Sequence, residues 1–247
     1  MSEWLEAEVV ENIHWHESLF SLKVRADIAP FKAGQFASLA LDIDGERVAR
    51  PYSFLNSPQD ELLEFFFYTA NGGALSPRLF ELQPGDSLLI KNPANGFFIM
   101  DEIPDAQELW MIGTGTGIAP FLSILNDRDV WNKFQHVILI QGVRTGADLQ
   151  YQNMITAISE AHGDEFSFQG FVSREAVPDT LQGRIPASLS DGSLEAKLGF
   201  TITPENSQVM LCGNPDMVKD AVDHLKTRGL TKNLRRKPGQ ITTENYW

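Results

Sequence analysis

Three short stretches combine residue types and spacings that suit chemistry. Gly113-Thr114-Gly115-Thr116-Gly117-Ile118-Ala119-Pro120 lies between two apolar runs, residues 109–112 and 121–125. Strand, glycine turn and helix in that order aim backbone N–H groups at a helix N-terminus, where a phosphate binds. Pro120 stands where the usual dinucleotide fingerprint has its third glycine. A first helical turn tolerates it, because the missing N–H would have no partner there anyway. An ordinary strand-to-helix connection has the same form, so the turn alone leaves both readings open. Arg50-Pro51-Tyr52-Ser53 offers a cation, an aromatic face and a small hydroxyl. That set would hold a flat ring with an attached phosphate, and a surface strand with one core tyrosine is the plain alternative. In residues 71–79, two glycines precede Ser76 and Pro77. Ser76 as N-cap and Pro77 at the first helical position predict a helix start there, either a second anion site or a simple capped helix.

Coenzyme choice is read at strand ends. A dinucleotide site usually bears an acid at the end of its second strand, about 20 residues on, to hold the ribose 2′-hydroxyl. Here that strand ends Gln141-Gly142-Val143-Arg144 with no acid. Arg144, Ser173-Arg174 and Arg184 each follow a predicted strand end. Cations at those places favour a 2′-phosphate, hence NADP over NAD.

The elements that must position these groups fall into two kinds. Up to about residue 95 there are six short predicted strands, residues 6–12, 19–24, 36–41, 48–56, 62–69 and 87–91. Asp44-Gly45 suits a two-residue hairpin, and Pro30, Gly34 and Pro84-Gly85-Asp86 are further breaks. Strands of this length and spacing predict an antiparallel barrel. From about residue 105 strands alternate with helices, the mark of a parallel sheet. Strands are predicted at 137–141, 166–173 and 208–211, with a helix capped by Asp148 running to about 161. Another helix at 215–227 has Met217, Ala221, Val222 and Leu225 at core spacing. Pro93, Gly96 and Pro104 mark the join, dividing the chain into residues 1–98 and 99–247.

Composition narrows the function classes. With 43% hydrophobic residues the chain can bury a core, and a net charge of −13 argues against general nucleic-acid binding. No run reaches the roughly 18 apolar residues of a membrane span, and the acidic N-terminus lacks a basic, apolar leader, so a soluble cytoplasmic protein is expected. Cys212 is the sole cysteine, which excludes an internal disulfide and a cysteine-ligated iron–sulfur cluster or zinc finger. His14, His16, His136, His162 and His224 show no ligand spacing, so no metal is expected. No acid occurs between Asp223 and Glu244, where Lys226, Arg228, Lys232, Arg235, Arg236 and Lys237 all fall. That run reads either as a solvated helix end and tail or as a docking patch for an acidic partner.

In order along the chain, Arg50–Ser53, the loop at residues 72–76, Gly113–Pro120, Cys212-Gly213-Asn214-Pro215 and the terminal Tyr246-Trp247 resemble the ferredoxin–NADP(+) reductases, most of all the bacterial flavodoxin/ferredoxin–NADP reductases. The resemblance spans essentially the whole chain. It implies an N-terminal Greek-key β-barrel that binds FAD and a C-terminal α/β parallel-sheet domain that binds NADP. Arg50, Pro51, Tyr52 and Ser53 would then bind the flavin, with Tyr52 against the ring and Ser53 near its N5, although Pro51 stands where the family often has a small residue. Phe66, Phe67, Tyr68 and Thr69 would line the flavin site, and Ala74, Leu75 and Ser76 would hold the FAD diphosphate. Thr116 would touch both cofactors. Arg144, Ser173, Arg174 and Arg184 would bind NADP phosphates, and Cys212 would lie beside the nicotinamide. Tyr246 and Trp247 look like the aromatic end that packs on FAD. Implied with these is hydride transfer between nicotinamide C4 and flavin N5, then release of single electrons to ferredoxin or flavodoxin from a monomeric enzyme. A free flavin reductase, an oxygenase reductase component and a non-catalytic nucleotide-binding module are the competing readings.

Overall fold

The structure, a computed structural model, describes residues 2–70 and 72–245, the side chain of Asn245 excepted; Tyr246 and Trp247, expected on FAD, lie outside the described residues. The first six strands are β1 (Glu3–His16), β2 (Leu19–Arg25), β3 (Phe36–Ile43), β4 (Glu46–Ser53), β5 (Leu63–Tyr68) and β6 (Ser87–Asn92). They form one antiparallel sheet in the order β4-β3-β6-β1-β2-β5, with β6 returning between β1 and β3 in Greek-key fashion. The sheet curls until its two edges meet, where Phe54 bridges Phe65 and the Leu55 N–H donates to the Glu64 carbonyl at 2.8 Å. Asp44 and Gly45 both take positive φ (52° and 85°), the pair of conformations the β3–β4 hairpin needs. Pro51 is tolerated because β4 is an edge strand, so its missing N–H breaks no ladder. Leu22, Leu39, Phe54, Phe65 and Ile90 fill the interior.

The second half alternates as the sequence predicts. Strands β7 (Glu108–Thr114), β8 (His136–Val143), β9 (Phe166–Val172), β10 (Thr180–Gln182), β11 (Ser207–Gly213) and β12 (Ile241–Asn245) make a wholly parallel sheet, ordered β10-β9-β8-β7-β11-β12. Short helices α1 (Ser76–Glu81), α2 (Ala119–Leu125) and α3 (Arg128–Lys133) precede β8. Helices α4 (Gln152–His162), α5 (Ile185–Ser190), α6 (Ser193–Leu198) and α7 (Pro215–Thr227) follow it. Met217, Ala221, Val222 and Leu225 are buried on α7, as their spacing requires. Among the described residues no helix is long and apolar enough to cross a membrane.

Three expectations need correction. Ser76 does not cap α1: Leu75 occupies the cap position, and the Ser76 hydroxyl instead accepts from the Ala70 N–H at 2.8 Å, tying down the glycine loop. Asp148 does not cap α4, which begins after Tyr151 in the left-handed region (φ 63°); it closes a capping box with Thr145 around a 3-10 turn. The basic run does not continue as a tail, because residues 241–245 turn back to add β12 beside β11.

The two sheets share a core. Leu19, Leu55 and Phe66 from the barrel pack with Phe121, Leu122 and Ile155 from the α/β half. Tyr151 reaches across this boundary, its hydroxyl donating to Glu64 Oε1 at 2.7 Å and bonded to Ser21 Oγ. Burial raises the pKa of Glu64, and the bond from Tyr151 only partly offsets it.

Candidate functional site

In the parallel sheet the chain leaves β7 toward β8 on one side and later reaches β11 on the other. The gap between the carboxyl ends of β7 and β11 is therefore the topological switch point, where open α/β sheets bind ligands. The glycine turn opens from β7 as a 3-10 turn (Gly115–Ile118) and runs into α2 with Pro120 in its first turn. Opposite it, β11 ends at Cys212-Gly213. The two strand ends touch backbone to backbone: a Cβ on Gly117 would lie 2.8 Å from Gly213 Cα and 2.9 Å from the Cys212 carbonyl oxygen. Thr114 Oγ1 accepts from the Asn214 N–H at 2.9 Å, and the Asn214 side chain caps α7. Thr116 is buried in the turn.

Beside this gap, residues of three strands are linked by register and by one hydrogen bond. Cys212 on β11 pairs in register with Glu244 on β12. Register neighbours in a parallel pair point to the same face, so thiol and carboxyl share a side. From the barrel, the Ser53 hydroxyl at the end of β4 donates to Glu244 Oε2 at 3.4 Å. Burial pushes the Glu244 carboxyl up to about 7, and the Ser53 hydrogen bond offsets only part of that rise. Glu244 was absent from the sequence-derived site. The β-branched run Ile241-Thr242-Thr243 signals a strand ahead of it, but not the register that sets that strand beside Cys212.

The barrel side is built from β4 and β5. Tyr52 is half-buried with its ring 4.7 Å from that of Phe67, and burial pushes its hydroxyl up to about 12. Arg50 is exposed and donates to the Ala49 carbonyl at 2.7 Å. On β5, Phe67 points into the barrel, while Phe66 faces the shared core with its ring 5.1 Å from Tyr151. What these two can present to a ligand is their backbone. Tyr68, half-buried at the strand end, donates to Asp148 Oδ1 at 2.9 Å. The Thr69 N–H donates to the Ser18 carbonyl at 2.8 Å. Leu75 is a core residue and Ser76 is buried, so the loop at 74–76 likewise offers backbone N–H groups.

Arginines gather along one end of the parallel sheet. Arg144 follows β8, Arg174 follows β9 and Arg184 follows β10, and all three are exposed. The Arg174 N–H donates to the Arg144 carbonyl at 3.0 Å, and Ser173 Oγ donates to the Val143 carbonyl at 3.2 Å, so these strand ends are tied together. Among the described residues none of Arg50, Arg144, Arg174 and Arg184 has an acidic partner within ion-pair distance. In a chain of net charge −13 such a set is suited to a polyphosphate ligand.

The C-terminal cations divide. Arg228, expected in the docking patch, is instead committed inside the domain: it forks onto Glu195 with two 2.8 Å bonds and donates to the Ile202 carbonyl. Lys226 and Lys232 line a shallow depression between α7 and β12 with Lys219 and Thr243. Arg235, Arg236 and Lys237 are exposed on a tight turn closed by Leu234 and Lys237. Arg235 lies 4.7 Å from the ring centre of Phe97, and Phe97 and Leu234 are 57% and 56% exposed. Among the described residues no cluster of His, Cys, Asp and Glu could hold a metal ion.

Residues 6–99 match the oxidoreductase FAD-binding domain and residues 111–223 the oxidoreductase NAD-binding domain. The chain is 46% identical to the flavodoxin/ferredoxin–NADP reductase of Shigella flexneri and 45% identical to that of Escherichia coli K12, over all of both chains in each case. A solved ferredoxin NADP+ reductase from Neisseria gonorrhoeae, with bound FAD and NADP, is 34% identical and superposes with a TM-score of 0.93 over 99% of each chain.

Proposed function

The chain belongs to the flavodoxin/ferredoxin–NADP reductase family, and from that premise we propose that Ser53, Cys212 and Glu244 form its reaction centre. The protein is an FAD-dependent oxidoreductase that moves electrons between NADPH and ferredoxin or flavodoxin. Bound FAD supplies the exchange between a two-electron hydride donor and a one-electron carrier. The hydrogen bond from Ser53 of the barrel to Glu244, the register neighbour of Cys212, supports this assignment, since it links polar groups of the two halves beside the switch-point crevice where α/β sheets bind ligands.

The residues present suit that cofactor. Glu244 is a half-buried carboxyl whose hydrogen bond from Ser53 is long, 3.4 Å, so it keeps acceptor capacity for a ligand where the two halves meet. In our reading residues 1–98 hold FAD and residues 99–247 hold NADP(H). Arg50, Pro51, Tyr52 and Ser53 bind the flavin portion; Phe66, Phe67, Tyr68 and Thr69 border it through backbone and strand end. The N–H groups of Ala74, Leu75 and Ser76 take the diphosphate, and Thr116 meets both cofactors. Arg144, Ser173, Arg174 and Arg184 take the coenzyme phosphates. Cys212 closes the wall where the nicotinamide lies, keeping water out, while Ser53 and Glu244 hold a proton between their oxygens. Tyr246 and Trp247, directly after β12, would cover the flavin.

An absorption spectrum of the purified protein, titrated with NADPH and then NADH, tests this. A yellow protein bleached at lower NADPH than NADH concentration is expected, and a colourless preparation overturns the reading.

Carrier docking is assigned to the turn at Arg235, Arg236 and Lys237 with exposed Phe97 and Leu234, an apolar centre with a basic rim. Reversing the three charges to glutamate should slow reduction of the acidic carrier about tenfold at low ionic strength, an effect that salt diminishes. Stopped-flow reduction of a small dye by NADPH should be unchanged. Equal loss of both rates would assign the turn to folding.

A further inference from the structure

Asp148 is a buried carboxylate that the reaction centre does not use. Its side chain is 8% exposed, and it ends the 3-10 turn that follows Arg144. Oδ2 accepts from the Thr145 N–H at 2.9 Å and from Thr145 Oγ1 at 2.8 Å. Oδ1 accepts from the Tyr68 hydroxyl at 2.9 Å and from His16 Nε2 at 3.1 Å. The ring of His16 is fixed in one tautomer, because a carboxylate can only accept and the Ser18 N–H donates to Nδ1 at 3.3 Å. Burial works against the charge, yet the bonds from Thr145, Tyr68 and His16 outweigh it and hold the Asp148 pKa below its ordinary value.

A capping box accounts for Oδ2 alone and needs nothing from the barrel. The two donors to Oδ1 come from β1 and β5, across the domain boundary. Holding the halves together does not require them, since Tyr151 and the shared core already do so. What they do fix is local. Tyr68 lies against the glycine turn, where a Cβ on Gly115 would sit 3.3 Å from its ring. Its hydroxyl also lies within the field of Arg144, which opposes the rise that burial and Asp148 impose on it.

We propose that Asp148 is a positioning residue for the coenzyme: its carboxylate pins the Arg144–Thr145 turn to Tyr68, fixing the arginine relative to the flavin-bordering strand. The proposal rests on the reading that Arg144 binds a coenzyme phosphate. In Asp148→Asn the amide turns a donor toward donors and breaks one side of the junction. Expected are a roughly tenfold rise in KM for NADPH with kcat held within about twofold, in holoenzyme of unchanged FAD content. In an Arg144→Ala background the same substitution should add less than about twofold, since the two act through one contact. Tyr68→Phe, which removes one donor and keeps the ring, should raise KM about threefold, and it carries the test if Asp148→Asn does not fold. An unchanged KM in Asp148→Asn or Tyr68→Phe, or a full rise that persists without Arg144, overturns the proposal. If Arg144→Ala alone leaves KM for NADPH unchanged, the phosphate reading fails first and the proposal with it. A rise in Arg144→Ala without one in Asp148→Asn sinks the positioning role alone.

Discussion

Replacing Gly213 by alanine should lower the melting temperature by about 10 °C and remove NADPH oxidation with it. Gly213 has a φ of 119°, outside the range of L side chains, which costs about 1–3 kcal/mol for any other residue. The added Cβ would also lie 2.6 Å from the Thr114 carbonyl oxygen, 3.0 Å from its nitrogen, and against its hydroxyl. Thr114 ends β7, which is hydrogen-bonded to β8 on one side and β11 on the other, so its backbone has nowhere to go. Overpacking of that kind adds about 1–3 kcal/mol. The sum, about 2–6 kcal/mol, is a large share of a domain's net stability, and at about 2–4 °C per kcal/mol its middle gives the stated fall. Relief of the clash must move Cys212 and the glycine turn, hence the lost activity. Gly45→Ala is the control: φ is 85° but nothing lies within 4 Å of its Cβ, so only strain of about 1 kcal/mol applies. Equal melting temperatures for the two variants would show that the switch point is not packed as described.

The division into an antiparallel and a parallel half was legible because each signal is local. Asp44-Gly45 dictates its own hairpin, and the apolar runs before Gly113 and Gln141 are buried on both faces, as parallel strands must be. The misread caps show the opposite case. Ser76 and Asp148 are good capping residues in isolation, but each found a partner elsewhere, Ser76 in the Ala70 N–H and Asp148 in Tyr68 and His16. Those partners are settled by packing, and no local pattern encodes them.

The site was legible in proportion to how far its residues depend on main-chain geometry. The glycine turn and the strand-end arginines occupy places that the topology alone makes useful. Phe66 and Phe67 are adjacent on β5, so strand alternation sends their rings to opposite faces, one to the shared core and one to the barrel interior. Arg228 looked like its neighbours in a basic run, but Glu195, 33 residues earlier, engages it. Charge density along the chain cannot separate a committed cation from an available one. Glu244 eluded the sequence because its value lies in a register: β12 sets it beside Cys212, and only the folded barrel brings Ser53 to it.

Substituting Glu244 by glutamine should therefore change the pH dependence of both stability and rate. The carboxyl has a pKa of about 7 in the folded protein against an ordinary value of 4.5. Between those values the unfolded chain loses a proton that the folded chain keeps, so wild-type stability falls as pH rises from about 4.5 to about 7 and is level above that. The whole fall is about 3–4 kcal/mol, about 2–3 of it between pH 5 and pH 8, and glutamine, which does not titrate, lacks it. Scanning calorimetry at pH 5 and pH 8 should show the melting temperature of Glu244→Gln gaining on wild type by about 5–10 °C between the two. The rate follows from the same proton. An ionised Glu244 beside Ser53 and Cys212 opposes any gain of negative charge in the crevice, and a low-dielectric wall strengthens that opposition. Hydride acceptance from NADPH should drop about tenfold from pH 6 to pH 8 in wild type, a shift of about 1.4 kcal/mol in barrier, and stay level in the variant. Parallel pH profiles for the two proteins would mean that Glu244 holds no proton in the working range, and that the charge felt in the crevice comes from another group.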